Sequence, residues 1–404
     1  MTPDSLSPVP ADEPLPPARV LDADAPLRIA RLDTFVFRYP LDTPVRTSFG
    51  AMTDRPAVLV RVEDAGGAHG WGEVWCNYPS CGAEHRALLV RTEIAPRLMA
   101  RGFAGPGEAF LALEASLRVL ALQTGEWGPI AQCLAGVDIA LWDLAARRAG
   151  RPLADMIAGG AARRAVPAYA SGINPQGAAD TVARIREAGH GAFKVKIGFG
   201  DGDRAVLEGV AATLRPGERM MADANQAWSP DEARRMADVL GDLPLDWLEE
   251  PLHADRPLAD WRALSAAARM PLAAGENLRG LGAFEAAAGS GCFGVIQPDI
   301  CKWGGISGGV PAARAILAAG RRYCPHYLGA GIGLVASAHV LAAVGGDGML
   351  EIDANPNPLR ETLADPLPRI AAGAMHLDWR PGLGAGPDLA AARGWLVAEA
   401  GAVR

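Results

Sequence analysis

Two periodicities divide the chain. Between Arg28 and Val74 apolar and β-forming residues come in short runs, Ile29 to Phe37 and Ala57 to Val62, followed by the turn residues Asp64-Ala-Gly-Gly. The segment between them, Leu41 to Arg55, reads as a loop. Helical spacing takes over around Glu84–Ala100 and Glu108–Leu122, and more strongly from Ile130 to Ala149, where Leu134, Val137, Leu141 and Leu144 share a face. Strands followed by helices without alternation predict an α+β unit over 28–160.

After about residue 160 the rhythm changes. Short apolar strands alternate with Ala-rich helical stretches, at Ala165–Ala170, Ala192–Ile197, Met220–Ala224, Asp246–Glu249, Leu272–Gly275, Gly294–Gln297, Arg322–Cys324 and Met349–Glu351. Eight such units predict a parallel β/α barrel over 161–365, with an open doubly wound sheet as the alternative. The segment 366–404 lacks the rhythm and is expected to pack back on the first unit.

The strand ends carry the chemistry. Lys196, Asp223, Glu249, Glu276, Asp299, His326 and Glu351 each close an apolar strand, at spacings of 27, 26, 27, 23, 27 and 25 residues. In a barrel those ends converge on one mouth, where barrel enzymes place their sites. Any one of these residues, taken alone, is ordinary loop polarity. Seven in phase is a site.

Asp223, Glu249 and Glu276 end adjacent strands and supply only oxygen, a donor set suited to hard, octahedral Mg²⁺. Glu249 and Glu250 are neighbours pointing to opposite sides of the strand, so alternation leaves open which one faces inward. Lys194 and Lys196 share a face at i and i+2. A lysine base working near neutrality needs its pKa lowered by about 3 units from about 10.4, roughly 4 kcal/mol, and a second ammonium beside it works in that direction. Asp299 and His326 end consecutive strands, where a carboxylate fixes the imidazole tautomer and raises its basicity. Lys302 is placed either to neutralise nearby carboxylates or to cap a loop. His339 falls in an apolar helical run and reads as structural, while His69 and His190 fall in turns.

Composition narrows the partners. The chain has 404 residues, half of them apolar, and a net charge of −7 without any basic stripe, which argues against nucleic acid and anionic membrane. No apolar run reaches the length of a membrane span. The six cysteines form no CxxC pair and read as free thiols of a reducing, cytoplasmic environment. Seven prolines in the first 26 residues, with no signal pattern, predict a disordered leader over 1–27. Gly329-Ala-Gly-Ile-Gly333 lacks the spacing of a dinucleotide fingerprint, so no organic cofactor is expected. The expected partners are a small-molecule carboxylate substrate and further copies of the chain in a homo-oligomer.

The ordered motifs Lys194-Val-Lys196, Asp223-Ala-Asn225, Trp247-Leu-Glu-Glu-Pro251, Gly275-Glu-Asn277, Pro298-Asp299 and Pro325-His326 resemble the mandelate racemase subgroup of the enolase superfamily. The resemblance covers about 28–400. It implies a (β/α)7β TIM-like barrel with an N-terminal α+β capping domain, and Mg²⁺ held by Asp223, Glu249 (the first glutamate of its pair) and Glu276. Lys196 and His326, the latter paired with Asp299, would be acid/bases on opposite faces of the substrate. Glu351 would hydrogen-bond the substrate carboxylate as it becomes an enediolate, and Lys194 would hold that carboxylate and tune Lys196. The implied reaction is dehydration of an acid sugar, with racemisation or epimerisation as the alternative. A barrel that binds a metal–carboxylate ligand without turnover is a third reading. The loops Leu41–Arg55 and Trp75–Cys81 would close over the distal end of the substrate, with Arg46, Thr47, Ser48, Trp75, Asn77 and Tyr78 as candidate contacts to its hydroxyls.

Overall fold

The chain opens on three antiparallel strands, β1 (Ile29–Thr47), β2 (Gly50–Asp64) and β3 (His69–Val74). This is a computed structural model describing residues 20–47 and 50–403. Between β2 and β3 the Asp64 side chain accepts the Gly66 and Ala68 N–H groups, and Gly67 takes the left-handed conformation (φ 83°) that closes the turn.

The stretch 41–55, expected as a loop, is instead the outer part of the β1–β2 hairpin. Val45 pairs with Met52, Arg46 with Ala51 and Thr47 with Gly50, after a register shift between Pro40 and Val45. Pro40, Asp42 and Pro44 are poor strand formers, and the irregularity falls where they sit; cross-strand pairing outweighs their local preference.

Helices α1 (Gly82–Leu89), α2 (Ala95–Met99), α3 (Pro106–Thr124), α4 (Trp127–Arg148) and α5 (Leu153–Ala158) follow. Helix α4 is long and apolar enough to cross a membrane, yet 89% of its apolar window is buried within the molecule. It lies on β3 at very short range, because Gly70 and Gly72 present bare backbone to it.

Strands and helices then alternate. They run β4 (Ala165–Ile173), α6 (Ala178–Glu187), β5 (Ala192–Lys196), α7 (Asp203–Ala211), β6 (Arg219–Asp223), α8 (Pro230–Val239), β7 (Leu245–Glu249) and α9 (Leu258–Ala267). The second half is β8 (Leu272–Ala274), α10 (Leu281–Gly289), β9 (Val295–Ile296), α11 (Gly305–Ala318), β10 (Arg322–Tyr323), α12 (Gly331–Val344) and β11 (Leu350–Asp353). Each strand from β4 to β10 pairs in parallel with the next, and β11 returns to pair in parallel with β4. Between β10 and β11 the Glu351 N–H donates to the Pro325 carbonyl at 3.3 Å. One buried cluster takes Tyr169, Ala192, Met221, Trp247, Ala273, Val295, Cys324 and Met349, one residue from each strand or its immediate end. A shared interior of this kind belongs to a barrel, not to an open sheet.

The chain finishes with α13 (Pro358–Thr362), β12 (Arg369–Ala371), β13 (Ala374–His376) and β14 (Leu396–Val403). Of the segment expected on the first unit, β14 does pair antiparallel with β1, but the β12–β13 hairpin pairs with barrel strand β4. The leader expectation also needs correcting over 20–27. Leu21 N–H donates to Ser307 O, the Asp22 carboxylate accepts the Gly107 and Glu108 N–H groups at the start of α3, and Leu27 is buried against Phe103. An aspartate capping a helix and one buried leucine are enough to hold so short a stretch. Residues 1–19 lie outside the described set.

Candidate active site

The C-terminal ends of the barrel strands bring together Lys194, Lys196, Asp223, Glu249, Glu276, Asp299, His326 and Glu351. All are buried except Lys196 and Glu276, whose side chains are 15% and 17% exposed. These two open toward the mouth.

Asp223 ends β6. Its Oδ1 accepts the Asn225 N–H at 2.8 Å, and its Oδ2 lies 2.6 Å from Lys196 Nζ and 3.6 Å from Lys194 Nζ. Asn225 (φ 44°), Gln226 (φ 64°) and Glu250 (φ 40°) all adopt the left-handed conformation just past the strand ends, a strain tolerated mainly where surrounding structure enforces it. The Gln226 N–H donates to Glu250 O at 2.7 Å, tying the two strained turns together.

Glu249 ends β7 facing inward, on the same side as Trp247. It ion-pairs with Lys194, and its Oε2 accepts from Trp247 Nε1 at 3.0 Å and Gln297 Nε2 at 2.6 Å. Burial pushes its pKa up to about 7, with the Asp223 and Glu351 charges adding to the rise and Lys194 opposing it. Glu250 is held well above the usual carboxylate range by burial and by the Glu276 and Asp223 charges, and it accepts from Asn277 Nδ2 at 2.8 Å.

Glu276 is shared by two cations. Lys302 Nζ lies 2.9 Å from Oε1 and His326 Nε2 3.1 Å from Oε2. Burial works to raise the Glu276 pKa, but His326 and Lys302 outweigh it and hold the group well below the usual range. Lys302 therefore neutralises a carboxylate, the first of its two expected roles. It also sits 4.8 Å from the centre of the Trp75 ring, contributed by the capping loop.

His326 Nδ1 is 2.8 Å from Asp299 Oδ2, while Asp299 Oδ1 accepts the Cys301 and Lys302 N–H groups. Burial lowers the His326 pKa, but Glu276, Glu351 and Asp299 together raise it to about 10. Glu351, on β11, lies 2.8 Å from Lys194 Nζ and accepts the Tyr327 N–H at 3.2 Å. Although burial disfavours its charge, Lys194 and His326 keep its pKa low, so in this arrangement it accepts hydrogen bonds and donates none.

The lysine pair corrects one expectation. Burial and the Lys194 charge both push the Lys196 pKa down, as like charges should, but the Asp223 carboxylate prevails and the net shift is upward. Lys194, between Glu249, Glu351 and Asp223, is raised well above its ordinary value despite burial. Among the described residues no three histidine, cysteine or acidic groups close into a finished metal shell; each of the three acids is turned onto a cation.

Trp247 and Gln297 hold Glu249, a role the sequence does not announce although Trp247 stands in the Glu-Glu-Pro motif and Gln297 ends an expected strand. Alternation from Glu249 marks Trp247, and a polar residue one position before Pro298-Asp299 marks Gln297. His339 is structural: its Nδ1 accepts the Ala154 N–H, its Nε2 lies 3.1 Å from Leu383 O, and burial lowers its pKa to about 4. Asn77 Nδ2 donates to Leu328 O rather than lying free. The side chains of Arg46, Thr47 and Ser48 lie outside the described set.

A barrel carrying acids, lysines and a His–Asp pair at one mouth, roofed by an α+β unit, defines a class. The chain belongs to the enolase superfamily: residues 31–158 match the mandelate racemase/muconate lactonizing enzyme N-terminal domain and residues 177–391 the enolase C-terminal domain-like family. The fold is thus a TIM-like barrel with an N-terminal cap. It is 30% identical over 375 residues to D-galactarolactone cycloisomerase of Agrobacterium fabrum, covering 89% of this chain and 96% of that protein. A crystal structure of a mandelate racemase/muconate lactonizing enzyme from Bordetella bronchiseptica RB50 superposes with a TM-score of 0.86 at 55% identity, covering 92% and 99% of the two chains. The L-talarate/galactarate dehydratase of Salmonella typhimurium LT2, solved with Mg and L-lyxarohydroxamate, superposes at 0.82 with 26% identity over 94% and 95%.

Proposed function

We propose that the chain is a Mg²⁺-dependent enzyme that removes the proton alpha to a substrate carboxylate and dehydrates an acid sugar to a 2-keto-3-deoxy acid. The observation that carries this reading is the pairing of two proton-transfer groups at well-separated strand ends, Lys196 closing β5 and His326 with Asp299 just past β10 and β9, with three inward carboxylates between them.

The donor set fits the metal. Asp223, Glu249 and Glu276 offer only oxygen from adjacent strand ends, and the repulsion that Asp223 exerts on Glu249, and Glu276 on Asp223, is relieved by a dication. Bound there, Mg²⁺ supplies the charge that stabilises a carboxylate acquiring a second negative charge.

The chain's own groups do the rest. Lys196 takes the α-proton at one face as the free amine, a form open to it once Asp223, the carboxylate that raises its pKa, is engaged by the metal instead. Lys194, fixed between Glu249 and Glu351, presents positive charge to the substrate carboxylate. His326 Nε2, the ring nitrogen that Asp299 leaves free, gives its proton to the departing β-oxygen. The site is thereby complementary to the doubly charged intermediate rather than to the ground state.

One observation favours a second reading, in which the leaving oxygen belongs to a ring: the cycloisomerase of Agrobacterium fabrum aligns along 96% of its length. Incubation with Mg²⁺ and a panel of aldonic acids, aldaric acids and their lactones in D₂O separates the outcomes. A keto acid from open-chain acids supports dehydration, and turnover of lactones alone supports cycloisomerisation. Deuterated, inverted acid with no keto product supports a racemase or epimerase. Mg²⁺-dependent binding with neither exchange nor product would sink every catalytic reading.

A further inference from the structure

Glu73 lies on β3 of the cap, outside the ring of strand-end residues, yet its carboxylate ends against the turn that carries His326. It is 2% exposed. Its Oε1 accepts the Ala330 N–H at 2.5 Å and its Oε2 the Gly333 N–H at 2.9 Å, and the buried Tyr327 hydroxyl lies beside it without closing a well-formed hydrogen bond. These amides belong to the first turn of α12, whose own N-cap position, Ala330, has no side chain able to accept them. The cap's glutamate stands in for the missing N-cap.

The surrounding residues show that the turn is built around this carboxylate. A Cβ on Gly329 would meet Glu73 Oε1 at 2.8 Å, and one on Gly333 would meet the Tyr327 ring at 2.5 Å, so side chains at either position collide with the arrangement. Within the same turn the Leu328 carbonyl accepts from Asn77 of the cap and the Gly329 carbonyl from Asn357. The Tyr327 N–H donates to Glu351, and His326 precedes it directly. The turn from Tyr327 to α12 is therefore held by four side chains, Glu73, Asn77, Asn357 and Glu351, two of them from the cap.

Simple adhesion between cap and barrel does not need Glu73. Asp138 of α4 already accepts the Ile306 and Ser307 amides at the start of α11, while Asp143 ties α4 to Trp71 of β3 and Leu383 of the C-terminal segment, both away from the strand-end cluster. The Glu73 clamp, with Asn77 beside it, ends instead on the turn that follows the proposed acid. We propose that Glu73 is a positioning residue: through the 327–333 turn it sets where His326 Nε2 and Glu351 stand relative to Lys196. The inference rests on the two-group reading above and deepens it, since it makes the His326 half of the reaction depend on the cap.

The test separates the two halves on the Mg²⁺-loaded enzyme, with galactarate and L-talarate as probes in D₂O. Glu73→Gln keeps the volume and one acceptor but loses the second. A displaced support for a catalytic group costs about 10- to 100-fold. Keto-acid formation should fall by that factor while α-proton exchange falls by less than about 3-fold, raising the ratio of exchange to product. Tyr327→Phe, which removes only the hydroxyl packed beside Glu73 and leaves the helix cap in place, should move the ratio in the same direction by less. Asp143→Asn, a clamp remote from His326, should lower the melting temperature and leave the ratio unchanged. If exchange and product fall in parallel in both site variants, or neither changes, Glu73 is structural and the proposal is overturned. A wild-type enzyme that neither exchanges nor converts any acid of the panel overturns the functional reading itself, before the variants are compared.

Discussion

Asp299 Oδ2 stands 2.8 Å from His326 Nδ1, which leaves Nε2 to face Glu276 at 3.1 Å and Glu351 at 3.8 Å. The aspartate selects the tautomer and supports the positive charge of the ring, while Nε2 meets whatever occupies the mouth. Replacing Asp299 by Asn keeps an oxygen for the Cys301 and Lys302 amides but removes the charge. We expect keto-acid formation to fall about 10- to 100-fold with little change in melting temperature, read by steady-state kinetics beside thermal unfolding. Unchanged kcat would remove His326 from the acid role.

Lys196 and Asp223 form a close cation–carboxylate contact at the mouth, 2.6 Å. In Lys196→Ala the α-proton loses its acceptor and Asp223 loses its neutralising partner. Exchange on the Lys196 face should disappear, whereas Mg²⁺, measured by titration calorimetry, should bind at least as tightly as in the wild type. Weaker Mg²⁺ binding would count against Asp223 as a ligand.

Glu249 has a pKa near 7 because it is buried beside other acids. The sign follows directly: below about pH 7 the group holds a proton that a metal must displace, and above it the carboxylate is free to bind. Mg²⁺ affinity should therefore fall as pH drops from 8 toward 6, roughly tenfold per unit once below the pKa, and flatten above it. A chelator should abolish turnover and added Mg²⁺ restore it. Affinity independent of pH across this window would exclude Glu249 from the ligand set.

Gly72 on β3 approaches α4 so closely that a Cβ would stand 1.9 Å from the Gly136 carbonyl oxygen and 2.8 Å from the Ala140 nitrogen. Both are backbone atoms of a buried helix, unable to rotate away. Gly72→Ala should destabilise the protein by about 3 kcal/mol or more, seen as a lower midpoint in urea. A stability within about 0.5 kcal/mol of wild type, the usual range for surface changes, would show that the two elements can separate without cost.

The repeat of short apolar strand, polar end and helix was legible because each part is local. A strand's inward face and its terminal residue sit within a few positions of each other, so Lys196, Asp223, Glu249, Glu276, Asp299, His326 and Glu351 stand out by spacing alone. The family motifs rest on the same short-range signal. Interactions between distant segments were not legible. The 41–55 stretch reads as a loop until its pairing across the hairpin is known, and residues 20–27 read as leader until Asp22 meets the start of α3. Lys196 looks like a lysine depressed by its neighbour until Asp223, 27 residues on, proves to be the nearer charge. Glu73 carries no sequence signal, because the amides it accepts lie 257 and 260 residues away. The sequence by itself determined which residues end the strands and hence the class of chemistry. Which of those charges touch, in which direction each pKa moves, and how the cap grips the His326 turn were decided by tertiary packing, because electrostatics and hydrogen bonds depend on distances in space that chain order does not record.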